Sequence, residues 1–213
     1  SIMFCDARPA SNAPPPGVWQ LTKETVTEPS EITISFEAGV PVSVDGVRMP
    51  LFELILKLND IVGAYGYGRM DMVENRRVGN KSREVYESPA GLALIQAHSD
   101  LESVCLERDL HHYKMDMVGR YSELIYDGLW FSSLREAMDS FIDETQEVVN
   151  GDVRLGLAPG RCWVLGRRSD TGLYDYGLAT YDPEDTFRHE DAEGFVRIWG
   201  LGLQTRAAKQ GTK

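Results

Sequence analysis

The chain has 213 residues, 42% hydrophobic and 26% charged, too apolar for a disordered polypeptide and too charged for a membrane bundle. Its 33 acidic against 22 basic residues leave a formal charge of −11, which repels phosphate backbones and argues against nucleic-acid partners. No run approaches the roughly 18 consecutive apolar residues of a membrane span, and Cys5, Cys105 and Cys162 form no CxxC pair, so the expectation is a cytoplasmic chain without a signal peptide and with reduced thiols.

Residues 1–30 read as an extended arm. Ser11 to Gly17 is Ser-Asn-Ala-Pro-Pro-Pro-Gly, where proline removes donors and favours extended backbone. Regular patterning starts at Glu31. Ile32, Ile34 and Phe36 alternate with polar residues, Val40, Val42 and Val44 do the same, and Asp45-Gly46 signals a hairpin into Val47 and Met49. From Leu51 the period lengthens: Leu51, Leu54, Ile55, Leu58, Ile61 and Val62 share one face of a helix that begins after Pro50.

Ser88-Pro89 opens a second helical pattern through Leu92, Ile95, Ser99, Leu101 and Val104. A break near Arg108 separates it from a third, running roughly from Leu110 to Tyr126. Leu134, Ala137, Met138, Phe141, Ile142, Thr145 and Val149 form a fourth stripe, with Ser132 or Ser133 as cap and Asn150-Gly151 as stop. Strands return with Val153, Leu155 and Leu157, a Pro159-Gly160 turn, and the run around Cys162 and Val164. The acidic stretch Asp182 to Asp191 reads as a solvated loop. Phe195 to Leu203 is apolar and needs a cover, and Gln204 to Lys213 fits a short terminal helix. Strands and helices fall in blocks, so the expected class is α+β: an antiparallel sheet with packed helices and an extended C-terminal oligomerisation tail. The expected division is an arm at 1–30, a domain at 31–194 and a tail at 195–213.

The segment from Gly68 to Glu87 stands apart. It carries five basic residues (Arg69, Arg76, Arg77, Lys81, Arg83) and four acidic ones (Asp71, Glu74, Glu84, Glu87), a net of +1 within a chain of −11. Interleaved charges at this density suit a zwitterionic or multiply charged small substrate; they equally suit a salt-bridge-laced surface hairpin. Other candidates are weaker. Gly66-x-Gly68 lacks the third glycine of a dinucleotide fingerprint. His111 and His112 are adjacent and point different ways on a helix. His98 sits in an apolar helical pattern and reads as a packed histidine, and Cys105 and Cys162 have no histidine nearby in sequence.

Gly-Arg-Met-Asp-Met-Val-Glu-Asn-Arg (68 to 76), Gly-Asn-Lys-Ser-Arg-Glu-Val-Tyr-Glu-Ser-Pro-Ala-Gly (79 to 91) and Ser-Glu-Leu-Ile-Tyr-Asp-Gly-Leu-Trp-Phe-Ser (122 to 132) closely resemble the argininosuccinate synthase family. So do Gly-Val-Pro-Val-Ser-Val-Asp-Gly (39 to 46), Thr-Gln-Glu-Val-Val-Asn-Gly-Asp-Val-Arg-Leu (145 to 155), Gly-Arg-Arg-Ser (166 to 169), Leu-Tyr-Asp (173 to 175) and Ala-Glu-Gly-Phe-Val (192 to 196). The matches run in family order from about Ala13 onward.

The resemblance implies a ligase of arginine biosynthesis that joins citrulline to aspartate with ATP, accompanied by Mg2+. The ureido oxygen attacks the α-phosphate to give a citrullyl-adenylate, and the aspartate amine then displaces AMP. It implies citrulline contacts from Glu74 and Tyr86, and a homotetramer whose C-terminal segments embrace neighbouring subunits; Arg76, Lys81 and Arg83 are expected as supports on their charge alone, not from the resemblance. A carboxylate suits an α-ammonium and a phenol suits a polar end, and the spacing of twelve fits two arms of one hairpin. No catalytic, cofactor-binding or metal residue is assigned.

The family's nucleotide-binding Ser-Gly-Gly-x-Asp-Thr-Ser string does not occur in the sequence. The chain is therefore expected to correspond to the C-terminal synthetase and oligomerisation half, inactive alone. Ser1-Ile2 matches the start of the family's Ser-Ile-Asp-x-Asn motif, but Met3 and Phe4 depart from it, and that site is not carried over. The alternative is a non-catalytic assembly and substrate-shaping module.

Overall fold

A computed structural model of the chain describes residues 2–5, 9–180 and 185–211. The chain divides into two units, Ser1–Leu173 and Tyr174–Lys213. The first holds two antiparallel sheets. One has five strands in the order β4-β3-β2-β7-β8, built from β2 (Ser30–Glu37), β3 (Val40–Val44), β4 (Val47–Arg48), β7 (Gly151–Ala158) and β8 (Arg161–Arg168). The other has three in the order β1-β6-β5, from β1 (Ile2–Cys5), β5 (Arg69–Asn75) and β6 (Lys81–Glu87). The helices are α1 (Leu51–Gly63), α2 (Pro89–Cys105), α3 (Arg108–Tyr126) and α4 (Ser133–Gln146). The α+β class expected from the block pattern is the one observed.

Register explains the core. Ile32 pairs with Leu155 and Ile34 with Val153, so the alternating apolar residues of β2 and β7 share one face. Against it lie Leu54, Leu58 and Val62 of α1 and Ala90, Ala93, Ala97 and Leu101 of α2, all buried. The small alanines let α2 approach the sheet closely, and each buried Leu or Val stabilises the unit by roughly 1.5–3 kcal/mol. The Asp45-Gly46 turn is built as the dipeptide demands: both residues have positive φ (52° and 75°), matching the twist of the flanking strands. The Asp45 carboxylate accepts the Thr33 N–H at 2.8 Å.

Three local readings are adjusted. The third helix starts at Arg108, ahead of Leu110, directly after the two-residue break at Leu106 and Glu107. Ser132 is the cap of α4, its hydroxyl accepting from the Arg135 N–H at 3.3 Å, but the helix ends at Gln146, before the expected Asn150-Gly151 stop. The arm contributes a strand that its sequence did not announce: β1 pairs with β6 in the register Phe4↔Val85. Further along the arm, Thr25 and Val26 donate to the Ala64 carbonyl at 2.8 and 3.1 Å.

The second unit is helical: α5 (Tyr176–Ala179), α6 (His189–Trp199) and α7 (Leu201–Gln210). Of the acidic stretch expected to be loop, 182–184 lie outside the described residues, whereas His189 to Asp191 open α6. Glu190 and Asp191 in its first turn face the positive end of the helix dipole. The apolar run is also helical, with Phe195 stacked on Trp199 at 5.5 Å and Phe195, Val196, Ile198, Trp199, Leu201 and Leu203 exposed.

Candidate functional site

The charged segment folds into the β5–β6 hairpin, with Glu74 opposite Ser82 and Met70 opposite Tyr86. Its base is locked to the rest of the unit at Gly68, which precedes β5 with φ of 112°. A Cβ there would lie 2.5 Å from the Pro89 Cα, so only glycine lets the hairpin start hard against α2. The Ser88 N–H donates to the Gly68 carbonyl at 2.8 Å.

A hairpin sorts its side chains by twos, and the two faces differ chemically. On one lie Arg69, Asp71, Lys81, Arg83, Val85 and Glu87. Here the charges have partners. Arg83 grips Asp71 through two hydrogen bonds of 2.8 and 2.6 Å, and Lys81 donates to Asn75 Oδ1 at 2.6 Å. Arg69 reaches Thr22 Oγ1 at 2.9 Å and Glu24 at 3.0 Å. Glu87, buried, accepts from the backbone N–H groups of Gln20 (2.7 Å), Leu21 (3.0 Å) and Thr22 (2.8 Å). Burial raises its pKa, but these bonds and one from the Thr22 hydroxyl outweigh it and hold the carboxyl below its ordinary range. This face is structural.

The opposite face carries Met70, Met72, Glu74, Ser82, Glu84 and Tyr86, and the two residues singled out by the resemblance meet there. The Tyr86 hydroxyl donates to Glu74 Oε1. That hydrogen bond first, then burial and the charges of Glu74 and Glu84, push the phenol up to about 12. Arg76, at the start of the turn, folds back over the same face. Its Nε donates to Ser82 Oγ at 2.6 Å, its Nη2 to Glu84 Oε1 at 2.6 Å, and its Nη1 stands 3.6 Å from Glu74 Oε2. Tyr126 on α3 approaches the same guanidinium, and with Glu84 and Glu74 it strengthens the charged form.

Among the described residues, two oxygens on this face remain without a hydrogen-bond donor. Oε2 of Glu74 and Oε2 of Glu84 are buried and accept no hydrogen bond, although the Glu84 side chain is 0% exposed and that of Glu74 13%. Buried carboxylate oxygens left unsatisfied are costly and call for a donor. The face therefore suits a ligand that brings a cation with several N–H groups, and an α-ammonium is such a group. Beside it, a cleft of about 540 Å3 runs between the hairpin turn and α3, lined by Arg76, Arg77, Gly119, Ser122, Glu123 and Tyr126.

The structure thus brings Glu74, Tyr86 and Arg76 together and sends Lys81 and Arg83 to the other side, because an even spacing from Tyr86 keeps a face and an odd one changes it. Glu84 and Ser82 belong to the site and were not singled out from sequence; counting by twos back from Tyr86 finds both. His98 is packed: its Nε2 lies 2.8 Å from Gln146 Oε1 and its ring 5.7 Å from Phe36. Gln146 and Lys114 both donate to Glu102 Oε1, at 2.7 and 2.8 Å, knotting α2, α3 and α4 together. Burial pushes the Cys162 thiol up to about 11, away from nucleophilic use. Among the described residues no group of three or more His, Cys, Asp or Glu is placed to hold a metal ion, and no helix is long and apolar enough to cross a membrane.

Comparison with known proteins agrees on one family. The family described as "Arginosuccinate synthase C-terminal domain" matches residues 7–206. A protein of Trichodesmium erythraeum named argininosuccinate synthase is 53% identical over 199 residues, covering 92% of this chain and 50% of that protein. Its namesake in Picosynechococcus is 52% identical over 203 residues, covering 94% of this chain and 50% of the relative. The Bacillus licheniformis protein of the same name is 49% identical over 201 residues, covering 93% and 50%. The chain spans about half the length of the relatives it matches.

Proposed function

The chain belongs to the argininosuccinate synthase family, through that family's C-terminal domain, and we propose that the Glu74–Tyr86 face of its β5–β6 hairpin seats the amino-acid end of citrulline in an ATP-dependent ligase. The observation that carries this reading is the donor-poor Oε2 of Glu74 beside a fixed phenol. Glu74 Oε2 takes the α-ammonium of citrulline, while the Tyr86 hydroxyl on Oε1 holds the carboxylate in place. Charge-assisted contacts of this kind contribute roughly 1.5–3 kcal/mol.

For the whole protein the reaction is the ligation of citrulline and aspartate. The citrulline ureido oxygen attacks the α-phosphate of ATP, pyrophosphate leaves, and the aspartate amine displaces AMP to give argininosuccinate. Such chemistry asks little of side-chain acids and bases and much of positioning, which is the role this face fits. ATP, with Mg2+, is assigned to the family's nucleotide-binding half. Free Cys105 and Cys162 accord with the cytoplasmic location that belongs to this reading.

The decisive experiment joins the chain to the N-terminal half of the Trichodesmium erythraeum relative and follows pyrophosphate release. Glu74→Gln keeps the shape and removes the charge, so the citrulline KM is expected to rise about tenfold or more while the ATP KM stays put. An unchanged citrulline KM refutes the assignment. The chain by itself, given ATP, citrulline and aspartate, is expected to release no pyrophosphate, as the reading of a substrate-shaping and assembly module also requires; release would overturn both.

The proposed assembly is a homotetramer held in part by residues 195–213. Exposed Phe195, Ile198, Trp199, Leu201 and Leu203 on two consecutive helices support it, since a lone monomer rarely presents such a surface. Deleting residues from Phe195 onward is expected to convert the tetramer into smaller species in light scattering. A truncated chain that keeps tetrameric mass and its Tm would refute it.

A further inference from the structure

Two carboxylates and one guanidinium share the Glu74 face, and their charges sum to one negative unit. How that remainder is distributed depends on where Arg76 sits. Its guanidinium is held by Ser82 Oγ and Glu84 Oε1, both at 2.6 Å, with the Tyr126 side chain as a further partner, and stands 3.6 Å from Glu74 Oε2, within ion-pair range but too far for a hydrogen bond. Arginine prefers a carboxylate partner and pairs with two N–H groups where it can. Glu84 supplies that partner from a fully buried position. Without its charge, the nearest anionic oxygen to the guanidinium is Oε2 of Glu74, the atom needed by an incoming ammonium.

We propose that Glu84 is a positioning residue for the ligand site: it draws the Arg76 guanidinium along β6, so that Glu74 Oε2 keeps only a 3.6 Å ion pair with no arginine N–H bonded to it and stays open to a ligand with a single ammonium. The inference rests on the reading of this face as the seat of citrulline, and it deepens that reading by assigning the pair that sets the seat's charge. Glu84 does not touch the substrate; it acts through Arg76. Charge complementarity then gives selectivity. A ureido acid lacking the α-ammonium meets a net negative face and is rejected, whereas the ammonium of the zwitterion offsets that charge.

The test uses the same joined protein with Glu84→Gln, Glu84→Gln/Arg76→Gln and Glu74→Gln, each checked by a thermal melt. Glu84→Gln frees the guanidinium to close on Glu74, so the citrulline KM is expected to rise about tenfold, with kcat within about twofold and the ATP KM unchanged. Removing the guanidinium as well is expected to return the citrulline KM to within about threefold of the starting value, a coupling that a purely structural Glu84 would not show. A wild-type KM in Glu84→Gln, or a double variant as impaired as the single one, overturns the inference. Should Glu84→Gln not fold, the double variant decides: near-normal citrulline binding supports the inference, and lost binding or lost folding refutes it. Glu74→Gln separates the two levels. If it leaves the citrulline KM unchanged, the seat itself is wrong; if it impairs binding while Glu84→Gln is silent, only the role of Glu84 falls.

Discussion

Replacing Glu87 with glutamine removes a buried charge from the seam between β6 and the N-terminal arm. The carboxylate accepts three backbone N–H groups between 2.7 and 3.0 Å and the Thr22 hydroxyl at 2.5 Å. A glutamine keeps one acceptor oxygen and turns the other into an amide nitrogen that faces an N–H group. The expected loss is about 1.5–3 kcal/mol, the worth of hydrogen bonds to a charged group. In a chain of this size each kcal/mol moves Tm by roughly 2–4 °C, so Tm is expected to fall by about 3–12 °C at pH 7. Acid dependence adds a second check. The folded carboxyl titrates below its ordinary range, so its contribution is present above the unfolded value, near pH 4.3, and is lost as pH falls through the lower folded value. Circular-dichroism melts from pH 8 to 3 are expected to show a constant gap between the two proteins down to about pH 4.3, then convergence. Equal Tm at pH 7, or a gap that widens in acid, refutes the cradle. Because Glu87 projects from the face opposite Tyr86, the citrulline KM is expected to move less than about threefold, well below the effect of Glu74→Gln.

Tyr86→Phe is expected to cost citrulline use about 0.5–1.5 kcal/mol, seen in kcat/KM; a large fall in Tm instead would make Tyr86 a core residue. The phenol titrates at about 12, so its bond to Glu74 stabilises fully below the unfolded value, near pH 10, and is lost as pH rises through the folded one. The ultraviolet difference titration of wild type against Tyr86→Phe is expected to show a midpoint near 12, and a midpoint near 10 refutes the pairing. Lys114→Met leaves the buried Glu102 carboxylate without its lysine and is expected to lower the urea-unfolding free energy by about 3–5 kcal/mol; a loss below about 1 kcal/mol shows that Gln146 and His98, 3.8 Å away, suffice.

Much of the architecture is written in local patterns. The alternation at Ile32, Ile34 and Phe36 sets which side of β2 is buried. The Asp45-Gly46 pair sets the β3–β4 turn, the stripe from Leu51 to Val62 forms α1, and Ser132 caps α4. These features come from neighbours within a few positions, where period and turn chemistry operate. Glu74 and Tyr86 were found from a family motif, and a spacing of twelve was enough to place them on two arms of one hairpin.

What the chain's order did not reveal is who covers each face. The segment from Gly68 to Glu87 reads as one mixture of nine charges, yet it is two surfaces of different fate. Thr22, 65 residues earlier, closes over Glu87, and β1 pairs along β6; neither partner has a local signal. Glu84 looks like any exposed glutamate until β5, β6 and Arg76 enclose it. A charge's role depends on its partner and its exposure to water, and both are fixed by contacts between distant segments. The periodicity of the sequence therefore decides which elements form. Only their packing decides which carboxylate anchors the arm, which holds an arginine in place, and which is left with an oxygen to offer.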